Sequence, residues 1–255
     1  MPGDGGALLF ARYAYPPNAL GYCGPDAGGQ LLEQVDAGVD DGALPQIVRG
    51  FDGAWPYLQV LAGAAGMDPL DRRVVEAYWV GNDLLRRVDA AIMWRCLEER
   101  VHPRLARTRW SGFVDAVPTG AVPHHSFHVF GIYPWMGLLR AGHVDEPLRV
   151  LDRCRIRWGR VVEVSGTFAL VRSRPLVWDG RRLELGSPRV ERVVTGERGL
   201  RLARALSPGD WCSMHWDWVC DRLGLRDVVR LASWSAGQLT AVQGQVLPSP
   251  AMLLS

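Results

Sequence analysis

Arg153-Cys-Arg-Ile-Arg-Trp-Gly-Arg-Val-Val-Glu-Val164 is the stretch on which the reading of this chain turns. Its second half is β-branched, with a single charge alternating out of the run, and reads as a strand opening at Gly159. A second stretch answers it: Ser207-Pro-Gly-Asp-Trp-Cys-Ser-Met-His215-Trp-Asp-Trp-Val-Cys-Asp-Arg-Leu223. Pro208-Gly209-Asp210 is turn chemistry, a short strand follows, and His215 stands at its far end.

Working outward, the C-terminal part reads as short strands over Gly159–Val164, Phe168–Ser173, Val177–Trp178, Arg181–Leu185, Glu191–Val194 and Trp211–His215. A helix is expected from about Trp218 to Leu231. Closely spaced strands with turns between them and one closing helix suit a small β-barrel. The N-terminal part reads as helical. Ala7–Tyr15 is apolar and aromatic, with Pro16-Pro17-Asn18 expected to stop it. Pro25-Asp26 is expected to start a helix through Leu31, Leu32 and Val35. Leu44–Ala65 has helical spacing with Pro56 as an interruption. Asp68–Cys96 has the clearest helical period, breaking at Gly81-Asn82-Asp83 with Asp83 as the second N-cap. A linker is expected around Gly142–Pro147.

The paired stretches resemble the HypC/HupF family of [NiFe]-hydrogenase maturation chaperones, over about residues 151 to 235. That family begins Met-Cys-Leu-Ala-(Ile/Val)-Pro-Gly-(Arg/Lys)-Val-Val-Glu-(Ile/Val) and later carries Pro-Gly-Asp-(Tyr/Trp)-Val-x-(Val/Met)-His. The match places Cys154 where the family has its functional cysteine and His215 where it has its histidine. The resemblance, with the helical pattern that precedes it, gives an α+β chain with three parts. A mostly helical N-terminal domain covers 1–145, a HypC-like (OB-like) β-barrel with a C-terminal helix covers 150–235, and a tail covers 236–255. It also implies an accessory role in hydrogenase maturation. Cys154, supported by His215, would hold an iron fragment carrying cyanide and carbon monoxide, and the partner would be a maturation scaffold or the hydrogenase large-subunit precursor. Cys154 and His215 are expected to meet at the accessible rim of the barrel. Cys154 is internal, whereas the family's cysteine follows the initiating methionine, so the α-amine of that residue has no counterpart here. Trp158 replaces the family's proline, and Arg155 and Arg157 add charge.

Composition excludes several other classes. The 255 residues are 48% hydrophobic and 22% charged with a net charge of +2, ordinary for a globular protein and too balanced for a nucleic-acid partner. All basic residues are arginine; without lysine, Schiff-base chemistry is closed. Five scattered cysteines without Cys-x-x-Cys give neither a disulfide framework nor a zinc ribbon. No signal peptide and no span of about twenty apolar residues is visible, so the reading is cytoplasmic with no membrane partner. There is no Gly-x-Gly-x-x-Gly after a strand and no Walker loop.

A second constellation lies at Pro123-His-His-Ser-Phe-His128. On a helix, His124 and His128 share a face at a spacing able to chelate zinc or iron, with Cys23 or His143 as further ligands. Cys23 in Gly21-Tyr-Cys-Gly-Pro25 also suits a reactive thiol, with His124, His125 or His128 as its base. The alternative function is therefore a metal-binding or thiol enzyme whose site is Cys23, His124, His125 and His128, with zinc as the alternative metal. A structural interaction protein is the third reading. Trp211, Trp216, Trp218 and Trp234 would then be a partner face or simply core.

Overall fold

The structure is a computed structural model that describes residues 5–89, 92–93 and 120–243. Cys96 and the arginines from Arg100 to Arg109 fall outside the described residues. The chain is α+β: helices in the N-terminal part, a closed five-stranded β-barrel, and a C-terminal helix.

Helix α1 (Gly6–Ala19) is the centre of the helical part, buried from Gly6 to Asn18. It does not end before the prolines: Pro16 and Pro17 lie inside it. Proline removes the N–H that would bond four residues back, so what was expected as a stop is instead a loss of backbone bonds within the last turn. Around α1 pack α2 (Gly28–Ala37), α3 (Leu44–Arg49) and α5 (Arg72–Trp79), and α4 (Trp55–Ala65) packs on α5. Pro56 opens α4 in its first turn instead of interrupting it. Asp71 caps α5 by accepting from the Arg73 N–H at 2.8 Å. Asn82, not Asp83, caps the following 3-10 turn (Asp83–Arg87) by accepting from the Leu84 N–H.

Past the undescribed residues, α6 (His125–Phe127) runs into a π-helical turn (His128–Ile132), then α7 (Trp135–Arg140) and α8 (Asp145–Cys154). The second half of the expected linker, from Asp145, is thus the start of α8. Its stripe of Pro147, Val150, Leu151 and Cys154 is buried, and Asp145 and Glu146 sit in the first turn, where the helix dipole favours them.

The barrel strands are β1 (Arg157–Ser165), β2 (Phe168–Ser173), β5 (Arg189–Val194), β6 (Trp211–His215) and β7 (Trp218–Leu223). Their order is β1-β2-β5-β7-β6, closed by antiparallel pairing of β1 with β6 and parallel contact of β5 with β7. A two-stranded hairpin of β3 (Leu176–Trp178) and β4 (Leu183–Leu185) is inserted between β2 and β5. Gly159 lets β2 approach: a Cβ there would lie 2.5 Å from Val171 Cγ1 and 2.7 Å from the Arg172 carbonyl oxygen. Trp218–Leu223, expected to begin the last helix, is a strand paired with β6. The helix follows as α9 (Leu225–Gln243), so residues 236–243 of the expected tail are helical, with Gln238 and Val242 buried.

Two apolar clusters result. The small one fills the barrel with Val161, Ala169, Val171, Val193, Cys212, Met214 and Val219. The large one runs from α1 through α5, α6 and α8 to Trp216, Leu223 and Leu231, joining the helices to the outer barrel surface. Tyr13 of α1 adds a buried hydrogen bond to Ser213 of β6 at 2.9 Å. No helix among the described residues is long and apolar enough to cross a membrane.

Candidate metal centre

Cys154 ends α8, His215 ends β6, and His125 opens α6; packing brings the three together. One ligand atom from each lies within 4.8 Å of the others, and all three residues are buried. Tetrahedral sites with bonds of about 2.0–2.3 Å hold their ligand atoms roughly 3.5 Å apart, so a modest side-chain adjustment closes this set on a metal. The two residues singled out from the barrel motifs therefore do meet. They do so inside the protein, not at an accessible rim: Cys154 is 8% exposed and His215 1%. The helical part covers that end of the barrel, which is why the rim is closed.

Two backbone carbonyls fix the imidazoles. His215 Nδ1 lies 2.6 Å from the Tyr13 carbonyl oxygen, which can only accept, so Nδ1 carries the proton and Nε2 keeps its lone pair. His125 Nε2 lies 2.8 Å from the Cys154 carbonyl oxygen, so there Nε2 donates and Nδ1 holds the lone pair, 3.3 Å from the Tyr78 hydroxyl. Cys154 is the last residue of α8, and its carbonyl has no partner within the helix. His215 Nε2 is buried without a hydrogen-bond partner. The nearby Cys154 carbonyl cannot serve it, because a lone pair cannot donate. An unpartnered nitrogen in the interior costs about 1–3 kcal/mol, and a metal ion would satisfy it.

Burial also sets the protonation states. It pushes the Cys154 thiol up and His215 well below the usual imidazole range, with neighbouring His125 adding to the latter. It lowers His125 to about 4. Without a metal the set is thus a thiol and two neutral imidazoles. A thiolate in such surroundings is stable only beside a cation, so losing the Cys154 proton and gaining a metal are one event. One sulfur and two nitrogens suit zinc, copper or low-spin iron rather than magnesium or calcium.

The three residues line a cavity of about 180 Å³ together with Cys23, His128, Tyr78, Trp79 and Trp216. Trp79 packs on both rings, 4.7 Å from His125 and 5.8 Å from His215 between centroids. The roof is Tyr22, half exposed, stacked on Trp216 at 4.2 Å. Tyr22 and Cys23 lie between Gly21 (φ +73) and Gly24 (φ +77), both left-handed, in a loop held by Asn18 Nδ2 donating to the Cys23 and Pro25 carbonyls. Trp216 itself has φ +51. Its turn is held by the Arg153 carbonyl, which accepts from the Trp216 N–H, and by the Arg157 guanidinium, which donates to the Trp216 carbonyl and to Glu191.

The remaining histidines behave differently from one another. His128 lines the cavity, its Nδ1 3.4 Å from the Tyr57 hydroxyl. His124 caps α6 by accepting from the Ser126 N–H and lies outside the cavity lining, so the two do not form the expected i, i+4 pair of ligands. His143 is exposed in a turn away from the cavity. Cys23 reaches the cavity, but burial pushes its thiol up to about 12, the opposite of an activated nucleophile. Tyr13, Pro17 and the Tyr78–Trp79 pair escaped sequence reading as site residues. The visible signal was a tandem proline following an aromatic helix.

In comparison with known proteins, a family described as "Family of unknown function (DUF6390)" matches residues 2–248. No curated protein and no solved structure matches the chain.

Proposed function

The chain belongs to DUF6390, a family whose description states no function, and we propose that this member is an accessory protein that holds a soft metal centre between His125, Cys154 and His215. One observation carries the proposal: three donors from three distant segments converge in the interior, with the two imidazoles set by backbone carbonyls and His215 Nε2 left unpartnered.

The cargo we infer is an iron fragment bearing diatomic ligands, handled during [NiFe]-hydrogenase maturation. Several features support this. Counting barrel strands alone, the order is 1-2-3-5-4 with the third and fifth parallel, an OB-like arrangement. Cys154 precedes the first barrel strand and His215 ends the fourth, as the HypC/HupF resemblance implies. The cavity of about 180 Å³ gives room for small ligands beside a metal and is walled mostly by aromatic groups that exclude water. Cys154 would supply the thiolate, His215 and His125 the nitrogens, and the Tyr22 loop would open for loading and delivery to a scaffold or large-subunit precursor. A resident zinc ion is the second reading, favoured by the Cys-His-His donor set and its closure from solvent.

Anaerobic purification with elemental analysis and infrared spectroscopy tests both. Near one iron per chain with cyanide and carbonyl bands, lost in Cys154→Ser, supports the cargo. One zinc per chain without such bands retains the metal centre and removes the maturation role. Absence of any metal, with no uptake of zinc or iron(II), overturns the proposal.

A further inference from the structure

A second cavity, of about 650 Å³, opens between the β3–β4 hairpin and α9. It is independent of the metal centre, although one segment separates the two: Cys154 faces one, and Arg155 and Trp158 face the other. Its volume falls in the range of about 300–1,000 Å³ common to small-molecule sites.

Its charge is one-sided. Arg155, Arg174, Arg181 and Arg182 line it against the single carboxylate of Glu184. Arg155 is 2% exposed and is pinned by Asp152, to whose Oδ1 it donates from Nε and Nη2. Arg174 is oriented by backbone carbonyls, whereas Arg181 and Arg182 extend from the exposed hairpin turn, with Asp179 near Arg182. Arg174 donates to the carbonyls of Gly186 and Leu185, which aims its guanidinium while leaving its charge intact. Asp179 uses one carboxylate oxygen on the backbone N–H groups of Arg181 and Arg182, so it shapes the hairpin turn that presents their side chains. Leu176 and Leu183 of the hairpin and Leu239 of α9 form an apolar wall beside them, and Ser235, Thr240 and Gln243 of α9 add polar groups. Trp158 adds a flat face, with Arg155 5.9 Å from its ring centroid.

We propose that this cavity binds a small phosphate monoester carrying a flat ring, with the phosphate on Arg174, Arg181 and Arg182 and the ring against Trp158 and the apolar wall. Guanidinium groups pair with phosphate oxygens in forks, and a dianion suits a lining of four arginines and one glutamate better than a single carboxylate does.

Calorimetric titration of the full chain with adenosine monophosphate and phenyl phosphate tests this. Inorganic phosphate, benzoate and adenosine serve as comparisons. Both esters are expected to bind at one per chain, more weakly at high salt. Arg181→Ala and Arg182→Ala, at exposed positions, should each lower affinity about tenfold with an unchanged melting curve. Trp158→Leu should weaken the esters but not inorganic phosphate. Failure of both esters to bind, or affinity unaltered by the double arginine substitution, overturns the proposal. So does inorganic phosphate or benzoate binding as tightly as the esters.

Discussion

Pro17 has no N–H to give the Tyr13 carbonyl one helical turn back, and that carbonyl accepts the Nδ1 proton of His215 at 2.6 Å. The defect in α1 is therefore what sets the histidine. Restoring the N–H with Pro17→Ala creates a competitor for Tyr13, so His215 loses its fixed tautomer while the helix gains a bond. Metal affinity is expected to fall about 10- to 100-fold, as for other outer-shell partners, without loss of thermal stability. Chelator competition measures it; unchanged affinity with a folded variant would separate the carbonyl from the site.

The Trp216 turn that follows His215 depends on Arg157 and Glu191. Glu191 would be raised by burial, but Arg157, Ser173 and Arg153 outweigh that and hold it below the usual carboxylate range. Arg157→Ala leaves that carboxylate buried beside an unsatisfied Trp216 carbonyl. We expect a loss of about 3–5 kcal/mol in urea denaturation, partly recovered by adding Glu191→Gln. A loss under about 1 kcal/mol would mean that water replaces the guanidinium.

Stability of the metal-free protein is expected to form a plateau between about pH 6.5 and 9. On the acid side, burial, and then neighbouring His125, lowers His124 from 6.5 to about 3, and burial lowers His125 to about 4. The unfolded chain takes up these protons and the folded one refuses them. Stability present above 6.5 therefore drains at about 1.4 kcal/mol per group and pH unit as pH falls toward those values. On the alkaline side, burial raises Cys23 and Cys212 from 9.0 to about 12. Their stability is complete below 9.0 and is lost as pH rises toward 12. Denaturant midpoints from pH 5 to 10.5 would show both edges, and a flat profile would contradict the burial.

Tyr22, stacked on Trp216, is the exposed residue of the cavity lining and the expected point of entry for a metal. An aromatic pair of this kind contributes about 0.5–1.5 kcal/mol. Tyr22→Ala should therefore speed chelator stripping by about 2- to 12-fold and leave equilibrium affinity nearly unchanged, because Tyr22 supplies no ligand. Equal stripping rates in the two proteins would place the entry elsewhere.

How much of this was legible depends on how far each signal reaches. β1, β2 and β6 were visible because the Val-Val-Glu-Val run and the Pro208-Gly209-Asp210 turn are local. β7 was read as helix because its hairpin turn, Trp216-Asp217, contains no glycine or proline; Trp216 takes the left-handed conformation itself, held there by Arg153 and Arg157. Of the centre, the family resemblance of the paired motifs picked out Cys154 and His215, and helical spacing picked out the histidine cluster. Neither could say that His125 would join them, because that depends on how α6, α8 and β6 pack together in three dimensions. The same packing buried a site that barrel motifs alone would leave open.

The histidines then make the sharpest test. Spacing favoured His124 with His128, whereas geometry selects His125 with His215. His125→Ala and His215→Ala should each abolish stoichiometric metal retention. His124→Ala should cost about 0.5–2 kcal/mol by uncapping α6 while leaving the metal in place. His128→Ala should also leave the metal content intact, because its ring borders the cavity outside the three-donor set. Elemental analysis of the four variants decides, and metal lost in His124→Ala but kept in His125→Ala would reverse the assignment.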